Sequence, residues 1–123
     1  VSDHDLELTV AWQRHVAPDR RLLDGLIARH REKHRRYHTV AHVAWVVRHV
    51  EELAALTPAA HLDEIVAAAF YHDAVYEPTY PANERASARL ARRDLESLGW
   101  STGPVERVAA MIEATEHTAS QAA

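Results

Sequence analysis

The chain has 123 residues, enough to bury one sizeable core, and its 14 basic and 18 acidic side chains leave a formal charge of -4, which speaks against a broad nucleic-acid footprint. With no cysteine there is no disulfide scaffold, no zinc-thiolate site and no cysteine nucleophile, so an intracellular protein is expected. The acidic opening VSDHDLELTV lacks the basic-then-apolar order of a signal peptide, and the longest strongly apolar run, IVAAAFY, is far below the ~20 residues of a membrane span; a cytoplasmic protein without membrane attachment follows.

Three glycines and five prolines punctuate the chain, and the segments between them read as helices. The first covers about residues 5–16 and is closed by Pro18. The second runs from about Asp19 to Lys33 with Leu22, Leu23, Leu26 and Ile27 as its buried stripe. The third spans about Val40 to Leu56, turns Val43, Val46, Val47, Val50, Leu53 and Ala54 inward, and stops at Thr57 and Pro58. The fourth runs from about Ala60 to Tyr76, the fifth from about Ala82 to Leu98 before Gly99, and the sixth from Pro104, a favoured position in a first turn, to about His117. No alternating β-branched run stands between turn residues. The expected fold is all-α, a single-domain bundle of about six helices over residues 1–123. Val at position 1 suggests a part of something longer.

Histidine is the compositional outlier, ten in the chain. His4, His15, His30, His34, His49 and His61 read most simply as solvated, and Trp12, Trp45 and Trp100 as core or helix-packing aromatics, with base stacking as the alternative. In FYHDAVYEP, Asp73 continues the apolar face of Leu62, Ile65, Val66, Ala69 and Phe70 at spacings of three and four, and a carboxylate aimed at a core requires a cation. On the third helix His42 stands four residues before Val46, on the edge of the same inward stripe, and His38 one turn earlier. An inward histidine on one helix and a His72-Asp73 pair on the next suit a divalent cation that accepts imidazole and carboxylate. Two alternatives stand beside it: His42 as a hydrogen-bonded core residue, and Asp73 paired with Arg48 or an arginine of the fifth helix.

The blocks HREKHRRYHTVAHV, FYHDAVYEP, NERASA and IEATEH, in that order and spacing, resemble the HD-domain metal-dependent phosphohydrolases with a Y-x-E-x-x-R-x-Y-H-x-x-x-H opening, over about Leu22 to His117. His30 stands where that opening has tyrosine. The resemblance implies an HD-like bundle with His42, His72 and Asp73 as ligands of a divalent ion (Mn, Mg, Fe, Ni or Zn), and Glu32, Arg35, Tyr37, His38, Glu77, Asn83, Glu84 and His117 lining the site. HD domains complete their site with a later aspartate, yet none follows Asp94, so the family's C-terminal helices are expected to be missing from this chain.

The implied reaction is hydrolysis of a small phosphate ester, a nucleotide among the candidates, by a metal-activated water. Asp73 would orient that water or take its proton. Arg35 would clamp phosphate with its planar fork, or else is one more charge of the run REKHRR. His38 would bind a second ion, donate to the leaving group, or cap a helix. Glu77 is a general base or a loop charge; Glu84 orients a ligand histidine or serves the helix dipole. The alternative function is a non-catalytic HD-fold module binding a nucleotide or a partner protein. A homo-oligomer is compatible with either.

Overall fold

All regular structure among the described residues is helical. The structure, a computed structural model, describes residues 3–32, 39–56, 61–76 and 82–122, with side chains in the last segment as far as 115. Six helices follow one another: α1 Asp3–His15, α2 Arg21–His30, α3 Val40–Leu56, α4 Leu62–Tyr71, α5 Asn83–Ser97 and α6 Thr102–Ala122. The all-α bundle expected from the apolar spacing is the architecture found. No helix among the described residues is long and apolar enough to cross a membrane.

α4 is the hub, in contact with α1, α3, α5 and α6. Its sequence LDEIVAAAFY explains why: Val66 through Tyr71 are all buried, and three successive alanines let neighbouring helices approach from several sides. Glu64, also buried, is tolerated because Arg107 on α6 donates to both of its oxygens at 2.7 and 3.0 Å. That guanidinium holds the Glu64 carboxyl below its usual range. Trp12, fully buried, meets Phe70 edge-on with ring centroids 5.3 Å apart, and its indole N–H donates to the Asp19 carbonyl at 2.9 Å. The chain between α1 and α2 is thereby tied to the core.

α5 ends in a Schellman turn: Trp100 N–H reaches the Leu95 carbonyl and Gly99 N–H the Glu96 carbonyl, both at 3.0 Å. Gly99 sits at φ 90°, where a Cβ would strain the backbone. The α5–α6 hairpin that follows is clasped by Arg92, which donates to Glu106 at 2.9 and 3.1 Å.

Several element ends differ from the spacing-based expectation. α4 stops at Tyr71 rather than near Tyr76, so His72 and Asp73 stand in the turn after the helix. α2 is shorter at both ends; before it, Asp19 accepts the Arg21 N–H at 2.8 Å. α6 starts at Thr102 and extends beyond His117, with Pro104 inside its first turn, where the missing N–H is harmless. On α3, Leu53 is 64% exposed, not inward.

Candidate functional site

Thr39 sets the position of His42. Its hydroxyl accepts the His42 N–H at 3.4 Å and its carbonyl the Val43 N–H at 3.1 Å, which makes it the N-cap of α3 and puts His42 in the first turn. Across from it, the end of α4 carries His72 and Asp73. His72 N–H still closes on the Ala68 carbonyl at 2.9 Å, Ala74 N–H on the Tyr71 carbonyl at 3.0 Å, and fully buried Ala74 seats the turn.

Ser87 on α5 holds this turn from outside. Completely buried, its hydroxyl accepts the Val75 N–H at 3.0 Å. It lies in the quoted block NERASA, but no role for it was legible there; the available signal was a serine on the inward, alanine-rich face of an otherwise charged helix. Ser87→Ala is expected to take its partner from the part-buried Val75 N–H and lower stability by about 1 kcal/mol. By loosening the turn it should also weaken metal binding about tenfold, measured by competition against a chelating dye.

The three side chains converge. One ligand atom from each of His42, His72 and Asp73 lies within 4.8 Å of the others. Asp73 Oδ2 is 2.9 Å from His72 Nε2 and 3.9 Å from His42 Nε2, and the two rings are 6.2 Å apart between centroids. Neighbouring donors around a cation at about 2.1 Å stand roughly 3 Å apart or more, so these separations suit one ion. The side chains are 36%, 20% and 19% exposed for His42, His72 and Asp73, open enough for water or a ligand to reach.

The donor chemistry of His72 passes a separate test. Its Nδ1 is 2.8 Å from the Ala69 carbonyl, which can only accept, so Nδ1 carries the hydrogen and Nε2 is the nitrogen left to face Asp73. A neutral ring would then point a lone pair at a carboxylate oxygen, which requires a proton or a metal ion between them. Metal-binding histidines are commonly fixed by just such a carbonyl. Burial pushes the His72 imidazole down, but the Asp73 carboxylate and the Ala69 carbonyl outweigh it and raise it above its ordinary value. The two-histidine, one-carboxylate set fits a borderline divalent cation.

The competing partner for Asp73 on α3 is occupied elsewhere: Arg48 donates to both oxygens of Glu7 at 2.7 and 3.0 Å. On α5, Arg92 faces Glu106, and Arg93 donates to Asp94 at 3.2 Å. Asp94, the last aspartate of the chain, is buried and accepts the Tyr71 hydroxyl at 2.8 Å, so it is part of the core. That contact and burial drive the Tyr71 hydroxyl far above its usual range.

Of the other expected site residues, Glu32 lies exposed just past α2, and Asn83 and Glu84 open α5, half-buried; neither Glu32 nor Glu84 joins the metal-competent group. Arg35, Tyr37, His38 and Glu77 lie outside the described residues, and His117 is in α6 with its side chain outside them. Two histidines expected at the surface are instead interior. The His15 side chain is 7% exposed between Asp63 at 2.8 Å and Glu51 at 2.9 Å, and His30 is buried with Nδ1 donating to the Leu26 carbonyl. No family model, curated protein or solved structure matches the chain.

Proposed function

We propose that the chain is an HD-like, metal-dependent phosphohydrolase acting on a small phosphate ester. The observation that carries this reading is the convergence of His42, His72 and Asp73, with the His72 tautomer set by the Ala69 carbonyl. Three protein donors among the described residues, on a partly exposed surface, leave positions for water and substrate, the pattern of a catalytic rather than a closed structural site. When bound, the cation supplies Lewis acidity toward a water and a phosphoryl oxygen. Asp73 would orient the attacking water or take its proton. Arg35 holds the phosphate oxygens, His38 protonates the leaving group, and Glu77 and Glu84 act as base and orienting carboxylate; His42 and His72 keep their places through the α3 cap and the α4 turn.

A second reading, a metal-holding module that binds a phosphorylated ligand or a partner without turnover, is favoured by the engagement of Asp94 with Tyr71, which leaves three protein donors in the group among the described residues. Elemental analysis of the chelator-treated chain after resupply of Mn, Fe, Ni, Zn or Mg, with His42→Ala alongside, tests both. Near one ion per chain, lost in the variant, together with release of inorganic phosphate from a panel of phosphate esters, is the expected result. Metal without phosphate release selects the binding module, and no metal in the parent chain overturns both.

A further inference from the structure

The three tryptophans are not alike. Trp12 is fully buried and Trp100 is partly buried with its indole N–H donating to the Val16 carbonyl, whereas Trp45 is 52% exposed. The packing role expected for it is therefore not the one it has. Trp45 stands one helical turn past His42 on the outward side of α3, and the two rings lie within 14° of parallel with centroids 6.4 Å apart. One turn further, the His49 ring lies on the indole at 4.0 Å and 32°, tied by its Nδ1–H to the Trp45 carbonyl at 3.0 Å. His72, His42, Trp45 and His49 thus form a row of rings that starts at the metal-competent group and sets an exposed indole between His42 and His49.

A phosphate ester whose phosphoryl group sits at His42, His72 and Asp73 must project the rest of itself over the neighbouring surface. Along α3 that surface is the Trp45 indole. An indole held by a stacked imidazole is pre-organised, so little rotamer freedom is lost when a flat group lies on it, and with a single N–H at the ring edge its face suits a planar ring better than a polyol's many hydroxyls. We infer that Trp45, backed by His49, is the subsite for the non-phosphoryl part of the ligand and that this part carries a planar aromatic group such as a nucleobase. The inference rests on the phosphohydrolase reading and narrows its substrate class.

The test compares adenosine 5′-monophosphate with ribose 5-phosphate on the Mn-loaded chain by equilibrium dialysis and tryptophan fluorescence. The nucleotide should bind about tenfold more tightly and quench the emission, the usual size of one base-on-aromatic stack. Trp45→Leu should erase that tenfold preference while leaving ribose 5-phosphate affinity and Mn content unchanged, and Trp45→Phe should keep part of it. Equal binding of the two esters, or a preference that survives in Trp45→Leu, overturns the subsite and leaves the metal-site reading standing. A chain that takes up none of Mn, Fe, Ni, Zn and Mg, or binds neither ester when loaded, overturns the phosphohydrolase reading and the subsite with it.

Discussion

Asp73→Ala is expected to leave the purified chain without bound metal under conditions that should load the parent to near one ion. Asp73 is the only anionic donor of the three, and its Oδ2 is the atom that both Nε2 nitrogens face, at 2.9 and 3.9 Å. Removing it leaves two neutral imidazoles on separate elements and no charge to offset dehydration of a divalent ion. Loss of an outer-shell partner typically costs 10–100-fold in affinity, and loss of a ligand should exceed about 100-fold. Asp73→Asn, which keeps the shape and removes the charge, should behave alike. Because Asp73 is not fully buried, the far-UV circular dichroism of either variant should match the parent. Metal retained at parental stoichiometry would remove Asp73 from the site.

The same experiment run against pH has a definite sign. His72 titrates above its ordinary value in the metal-free fold. Its contribution to folding is therefore complete below the ordinary imidazole value and is lost as the pH climbs through the raised one. Metal uptake needs the neutral ring, so apparent affinity strengthens over that same climb and loading releases a proton.

What was legible in the sequence is what local spacing encodes. α3 came out at Val40–Leu56 because apolar periodicity runs unbroken through it and Thr57-Pro58 follows. That His42 and Asp73 come together was legible in part, since each adjoins an apolar stripe, but His42 is 36% exposed and Asp73 stands in the turn after α4, not on the helix face. The end of α4 was not: its turn depends on the Ser87 hydroxyl taking the Val75 N–H, a contact made from α5. Nor can spacing show which carboxylates another helix will deliver. His15 reads as a surface residue until Glu51 of α3 and Asp63 of α4 close on its two nitrogens. Conversely, Leu53 fits the inward stripe of α3 but is 64% exposed among the described residues. Trp45 was expected to pack because tryptophans usually do, although it is not on the inward stripe of α3, and it stands 52% exposed.

Trp12→Ala should lower unfolding free energy by about 3–5 kcal/mol, read from the urea midpoint at unchanged m-value. The indole is fully buried at the meeting of α1 and α4, edge-on to Phe70 and tilted on Tyr71 with centroids 6.2 Å apart. Small domains hold about 5–15 kcal/mol in all, so this one truncation removes a large share. Trp12→Phe refills most of the volume but strands the Asp19 carbonyl, and should cost less, about 1–2 kcal/mol. The two variants also separate core from site. Phe70 and Tyr71 are the last residues of α4 before His72, so a cavity on their far side can reach the metal ligands only by shifting the helix end. At a temperature where Trp12→Phe is fully folded, its metal stoichiometry should equal the parent's, while Trp12→Ala should bind more weakly in proportion to the movement of that end. A cost below about 1 kcal/mol for Trp12→Ala would mean that α1 does not pack on α4 in this way, and the placement of the turn carrying His72 and Asp73 would fall with it.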